Sequence, residues 1–374
     1  MTSRPAQQSN RLNSTQAPSA TLTYSNCPVP NALLTALGSG ILGEAGIELD
    51  ILSGKQGVVH FTYDLPSYTR FGGEIPPLLS EGLRAPGRTR LLGITPLLGR
   101  NGYYVRGDSP IRKPADLAGR RVGVSASATR ILRGELGDYL ELDPWRQTLV
   151  ALGTWEARAL LHTLEAGGLS INDVELVRIE NAFVDVPAER LQAASSLKGT
   201  DLFPDAAVQQ AAILEQGRAD ALFSWLPWAP ELEARIGARP VIDLGQDARN
   251  AYASVWTVSS ELVARQPQVV QRLVDAVVDA GLWAQENGDA VTRLHAENLG
   301  VTENAIRQGF GPDFHQHLVP RLDAEAFAIL ARTQQFLLDK KLLHEPVALD
   351  RWAAPEFLDN SLKRNLTTHE RKIA

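Results

Sequence analysis

The sequence predicts an α/β protein folded as two lobes with a cleft between them, and three observations carry that expectation. The chain has 374 residues, more than one hydrophobic core ordinarily serves at roughly 100–200 residues per domain. Its apolar periodicity switches back and forth between strand and helix, the pattern of a mostly parallel sheet covered by helices. Its composition, 44% apolar and 21% charged, is that of an ordinary globular protein.

Leu22–Ser25 reads as a short strand, and Leu33, Leu37 and Ile41 fall at helical spacing. Gly43 and Gly46 interrupt that helix before Ile47–Leu52, which alternates as a strand, completing a βαβ unit. Leu91–Ile94 is a strand, Pro114–Leu117 a short turn-helix and Arg121–Val124 a strand; Ser125, Ser127 and Thr129 lead to a helix expected near Arg130. Ala219–Phe223 is a strand that runs into Ser224-Trp-Leu-Pro-Trp-Ala-Pro, read as a rigid aromatic loop. Val241–Leu244 and Ala253–Val258 follow as strands. The last hundred residues read as helical, with Val270, Leu273, Val274 and Val277 on one face and Phe327, Leu330 and Ala331 on another. The lobe crossings are expected near 115 and 240. Residues 1–20 then form a polar tail, 21–115 with 241–374 one lobe carrying the C-terminal helices, and 116–240 the second.

Several function classes are disfavoured at this level. The net charge is -6 with no run of one sign, so no footprint for nucleic acid is visible and a small-molecule ligand is expected. Nothing approaches the ~20 consecutive apolar residues of a membrane span. The single cysteine cannot form an internal disulfide, and Met1–Ala20 lacks the apolar stretch of a secretory signal, so a cytoplasmic protein is expected; a monomer is also expected, without a sequence feature that fixes it.

Gly38-Ser-Gly40-Ile-Leu-Gly43 has the glycine spacing of a dinucleotide-binding turn, but it closes a helix and leads into a strand, the reverse of what that motif requires. No cofactor is expected. His315 and His317 are the only close histidine pair; residues two apart do not share a helix face and no partner ligand has suitable spacing, so no metal site is expected. Ser125 and Ser127 could face an anion at a helix N-terminus, and simple capping explains them equally well.

Cys27 stands just past the first strand and before the first helix, where open α/β sheets present ligands and where backbone N–H groups favour a negative sulfur. A lone cysteine is also commonly a small buried hydrophobe. His60, in the strand-like run Val58–Tyr63, has the chemistry of an acid or base, or of a core histidine. Arg70 precedes Phe71-Gly72-Gly73, where paired glycines permit close backbone approach and offer amide donors; guanidinium and amide together suit a two-oxygen anion, although a solvated arginine beside a turn fits as well. Phe61, Trp155, Phe203, Trp225 and Trp228 supply walls for a flat aromatic ligand, and some of them must belong to the core.

The blocks Thr23-Tyr-Ser-Asn-Cys-Pro-Val-Pro-Asn-Ala-Leu-Leu, Val59-His-Phe-Thr-Tyr and Tyr68-Thr-Arg-Phe-Gly-Gly-Glu-Ile-Pro-Pro-Leu-Leu closely resemble the 2'-hydroxybiphenyl-2-sulfinate desulfinases of dibenzothiophene desulfurisation. Leu140-Glu-Leu-Asp-Pro-Trp-Arg-Gln-Thr-Leu, Ser224-Trp-Leu-Pro-Trp and Asn250-Ala-Tyr-Ala-Ser-Val-Trp-Thr-Val-Ser-Ser agree, and the similarity runs from about Leu22 to about Arg364. The resemblance implies a fold similar to type 2 periplasmic solute-binding proteins, turned into a cofactor-free enzyme that removes sulfite from an aromatic sulfinate. It places catalytic roles on Cys27, His60 and Arg70, with Gly73 beside the anion and Phe61, Trp155, Phe203 and Leu226 around the aryl group. Leu65 departs from the family pattern, which has a polar glutamine there. A non-catalytic solute-binding protein for an aromatic sulfonate or sulfinate is the alternative, and an ester- or amide-cleaving cysteine hydrolase a second.

Overall fold

The structure is a computed structural model, and it describes residues 19–25, 27, 29–52, 62–97, 99–180, 206–245 and 247–373. His60, Phe61 and Phe203 lie outside the described residues. Two five-stranded sheets organise the chain. The first has the order β2-β1-β3-β10-β4, from Ala20–Ser25 (β1), Ile47–Ile51 (β2), Tyr68–Gly73 (β3), Thr89–Leu97 (β4) and Tyr252–Ser259 (β10). The second has the order β7-β6-β8-β5-β9, from Asn101–Val105 (β5), Arg121–Val124 (β6), Glu175–Arg178 (β7), Ala221–Trp225 (β8) and Arg239–Pro240 (β9).

The two sheets repeat one plan. In each, the fourth strand runs against its neighbours: β10 is antiparallel to β3 and β4, and β5 is antiparallel to β8 and β9, while β1 and β6 pair in parallel on both sides. Each reversed strand is the first that the chain lays down after crossing from the other sheet. The sheets are thus mixed rather than wholly parallel, and the fold class is the expected α/β with two sheet-centred halves.

Local signals account for the elements nearest the site. Asn31 caps the helix Ala32–Gly38, its Oδ1 accepting from Leu34 N at 2.8 Å, and Gly40 breaks the run in the left-handed region, φ 85°. Ser125 caps the helix Ala126–Arg133 through Ala128 N. Asp143 caps the long helix Pro144–Ala166, with proline at its first position. Trp256 of β10 stacks on Phe71 of β3 at 5.4 Å between centroids, in the middle of the first sheet.

Several expectations are corrected. The chain passes from the first sheet to the second between Leu97 and Asn101, ahead of residue 115, because Asn101–Val105 pairs with β8. It is back in the first sheet at Tyr252. The helix expected near Arg130 starts at Ala126, where Ser125 satisfies a free N–H. Val241–Leu244 is not a strand, although Val241 N and Leu244 N still bond to Tyr103 O and Asn101 O. The late helix Ala324–Asp339 buries Ala326, Ile329, Leu330, Thr333 and Leu337, leaving Ala331 exposed. Trp225 ends β8 and Trp228 opens the helix Trp228–Ile236, so the aromatic loop shrinks to Leu226-Pro227.

Candidate functional site

Strand register builds the site. β1 and β3 run in parallel with Ser25 opposite Arg70, so two residues further on Cys27 comes alongside Gly72. The sulfur needs the space that glycine leaves: a Cβ on Gly72 would sit 2.5 Å from Cys27 Sγ and 3.0 Å from Arg70 Nη2. Gly73 N then donates to Cys27 Sγ at 3.5 Å, and Arg70 Nη2 approaches the same sulfur at 3.8 Å. Arg70 Nη1 donates to the Gly73 carbonyl at 2.9 Å. The three residues form one contact group at the carboxyl ends of parallel strands, where open α/β sheets take ligands.

Arg70 is therefore not a solvated arginine beside a turn. It lies within β3 and is 2% exposed, and among the described residues no carboxylate forms an ion pair with it. Three phenols surround it electrostatically. Burial pushes Tyr24 and Tyr68 well above the usual tyrosine range and Tyr63 to about 12, with Arg70 opposing each rise, so all three are neutral at ordinary pH. Tyr63 is held in the left-handed region, φ 41°, and its hydroxyl hydrogen-bonds to Thr257 of β10.

Beside Gly73 stands an aromatic side chain from a distant stretch of the chain. Trp155, on the helix Pro144–Ala166, lies against Gly73 so closely that a Cβ there would come within 2.6 Å of its ring. Its indole N–H donates to Glu74 Oε1 at 3.2 Å, and its ring stacks on Trp225 at 5.3 Å. Glu74 is fully buried; desolvation raises its carboxyl pKa, and Arg158 works against that rise. Leu226, φ 47°, packs against Gly99 and Gly309 and walls a cavity of about 310 Å³ with Pro30, Leu97, Phe310 and Phe314.

The structure thus brings together Cys27, Arg70, Gly73 and Trp155, and it places Leu226 on a neighbouring cavity. Leu65 is 36% exposed. Sequence reasoning missed Tyr63, Thr257, Glu74 and Arg158. Glu74 was visible only as the residue after the glycine pair, and nothing local signalled that it is buried. Among the described residues no group of three or more His, Cys, Asp or Glu is placed to hold a metal ion, and His315 and His317 sit on one short 3-10 turn. No described helix is long and apolar enough to cross a membrane.

Two sheets of this order, each with a single reversed strand, and a chain that crosses between them twice, are the architecture of the periplasmic solute-binding proteins. The sulfonate-binding protein SsuA of Methylobacillus flagellatus superposes with a TM-score of 0.64 at 16% identity, over 92% of this chain and 94% of that one. The aliphatic sulphonate binding protein SsuA of Escherichia coli gives 0.59 at 15%, over 89% and 92%. Those likenesses establish the fold. No protein-family profile matches the chain. The 2'-hydroxybiphenyl-2-sulfinate desulfinase of Rhodococcus erythropolis, however, is 72% identical over 367 residues, 98% of this chain and all of that one. The chain belongs to the 2'-hydroxybiphenyl-2-sulfinate desulfinase family. The crystal structure of the DSZB C27S mutant in complex with biphenyl-2-sulfinic acid matches at a TM-score of 0.89 and 74% identity, over 92% of this chain and 99% of that one.

Proposed function

We propose that this protein is an aromatic sulfinate desulfinase that hydrolyses the carbon–sulfur bond of 2'-hydroxybiphenyl-2-sulfinate to 2-hydroxybiphenyl and sulfite. The observation that carries the reading is a buried guanidinium without a carboxylate partner among the described residues, beside a cysteine sulfur and a backbone amide. A buried cation lacking a counter-ion is costly, and an anionic ligand relieves that cost. Sulfinate is such an anion, with two oxygens that match a guanidinium and an N–H by charge-assisted hydrogen bonds.

The reaction balances with water alone: ArSO2⁻ and H2O give ArH and HSO3⁻. In the proposed course Arg70 and Gly73 N–H hold the sulfinate, and the Cys27 thiol delivers its proton to the ring carbon that bears sulfur. The carbon–sulfur electron pair stays on that carbon and forms the C–H bond, SO2 leaves and is hydrated, and the thiolate recovers a proton. His60, to which the family resemblance gives that proton exchange, lies outside the described residues. Attack on sulfur by a Cys27 thiolate is the competing course. It brings two negative groups together in a dry site, where a low effective dielectric makes the repulsion strongest. We propose a cytoplasmic setting, in which a solitary functional thiol stays reduced.

The test is sulfite and 2-hydroxybiphenyl release from 2'-hydroxybiphenyl-2-sulfinate by the purified protein in the presence of a chelator. Equimolar release supports the reading. Binding without release would leave a solute-binding protein instead.

A further inference from the structure

We propose that Glu74 is a positioning residue that holds the Trp155 ring against Gly73, and so sets the wall on which the aryl group of the substrate rests. The inference rests on the desulfinase reading and deepens it.

Glu74 follows the residue whose N–H addresses the Cys27 sulfur, and it is 0% exposed. Its Oε1 accepts from Trp155 Nε1 at 3.2 Å and from Thr333 Oγ1 at 3.3 Å, and Ala253 N points at its Oε2 at 3.4 Å. Thr333 in turn accepts from Arg158 Nη1 at 2.8 Å, while Arg158 Nη2 donates to Ala251 O at 2.8 Å. The Arg158 guanidinium lies over the Tyr252 ring, 4.2 Å from its centroid. Trp155 and Arg158 are three residues apart on one helix and share a face. That face is therefore fastened at two points, Trp155 directly to Glu74 and Arg158 to Glu74 through Thr333.

The anchoring matters because Trp155 is only partly buried. A side chain at a cleft wall keeps rotational freedom unless something removes it. Trp225 stacks on one face of the ring, but stacking tolerates sliding and rotation in the plane, whereas an N–H bond to a buried carboxyl selects one orientation. In the selected orientation the ring abuts Gly73. Glu74 thereby connects the amide at the reacting group with the apolar wall for the ring, using two adjacent residues of one chain segment.

The experiment compares Glu74→Met, Glu74→Gln, Trp155→Phe and the double variant Glu74→Met/Trp155→Phe, reading KM and kcat for 2'-hydroxybiphenyl-2-sulfinate and Kd for biphenyl-2-sulfinate. Glu74→Met, which removes the acceptor, raises KM and Kd about tenfold with kcat reduced by no more than about threefold, the scale of one hydrogen bond to a charged group. Glu74→Gln keeps an acceptor for the indole and recovers most of that loss. In the Trp155→Phe background, which has no N–H to hold, Glu74→Met adds less than about twofold. Equal losses from Glu74→Met and Glu74→Gln, or an undiminished effect of Glu74→Met in the Trp155→Phe background, would overturn the proposal. Should Glu74→Met fail to fold, replacing Trp155 with the isosteric benzothienylalanine, which keeps the bicyclic ring and lacks the N–H, decides alone: a raised KM and Kd supports the anchor and unchanged values overturn it. A parent protein that binds biphenyl-2-sulfinate yet releases no sulfite would sink the desulfinase reading, while the Kd series would still decide the role of Glu74.

Discussion

Gly73 donates its backbone N–H to the sulfur of Cys27 at 3.5 Å, across 46 residues of sequence, and its carbonyl accepts from Arg70 at 2.9 Å. Residue 73 thus holds sulfur on one side and guanidinium on the other with backbone atoms alone. Strands vary less in position than loops, so the geometry is carried by the rigid pairing of β1 with β3.

Cys27→Ser removes the thiol proton donor while conserving the size of the side chain within one atom. The variant is expected to bind biphenyl-2-sulfinate and to lose sulfite release by a factor on the order of 10³ or more, since a hydroxyl is a far weaker acid than a thiol. Release assays beside equilibrium binding check this. Appreciable turnover in the serine variant would remove Cys27 from the chemistry.

Arg70→Lys retains the positive charge and tests the fork. A single ammonium cannot reach both the Gly73 carbonyl and the sulfur side of the site as two guanidinium nitrogens do. We expect kcat/KM to fall about 100-fold, equivalent to about 3 kcal/mol of lost charge-assisted bonding. A loss under about fivefold would mean that charge alone suffices.

The alternation of strands and helices was legible because β1, β2, β4, β6 and β10 carry apolar residues in alternation or in short runs, punctuated by Asn, Gly and Pro. Cys27 could be located at a strand end for the same reason. The burial of Arg70 was not legible, because Tyr68–Gly73 carries threonine, arginine and two glycines and lacks the apolar signature of a buried strand. Its strand state comes from pairing with β1 and β10, a tertiary effect. The crossing after Leu97 was hidden likewise, since Asn101–Val105 is recognised as a strand only by its partners. Glu74 shows the limit most clearly: a charged residue reads as surface, and only the folded chain brings Trp155, Thr333 and Ala253 to it.

Gly72→Ala should disturb the site and the fold together. The added methyl would stand 2.5 Å from both Cβ and Sγ of Cys27, neither of which is the far end of a flexible chain. A stability loss of about 1–3 kcal/mol is expected from such overpacking, with sulfite release falling in parallel. Gly43→Ala is the control. It lies in the short helix Ile41–Glu44 with open space at its Cβ, so it should raise stability by about 0.4–1 kcal/mol. Denaturant midpoints of the two variants decide, and a stable Gly72→Ala protein with normal turnover would contradict the contact.

His295 makes the stability of the whole molecule depend on pH. It is buried in the helix Gly288–Leu299, bonded at Nδ1 to the Val291 carbonyl at 2.9 Å and met edge-on by Phe310 and Phe314. Burial lowers its pKa from the usual 6.5 to about 4, the bond to Val291 opposing the shift. The native protein therefore keeps this imidazole neutral down to about pH 4, whereas in the unfolded chain it takes up a proton near pH 6.5. Between those values the unfolded state holds the extra proton, so stability falls as pH falls; above 6.5 neither state is protonated and the effect vanishes. The full gap is worth about 3 kcal/mol. Replacing His295 with leucine removes the titration, so the difference in unfolding free energy between parent and variant should move in the variant's favour by up to about 3 kcal/mol between pH 7.5 and pH 4.5. Urea unfolding at the two pH values measures it, and parallel pH dependences in parent and variant would show that His295 is not the titrating group.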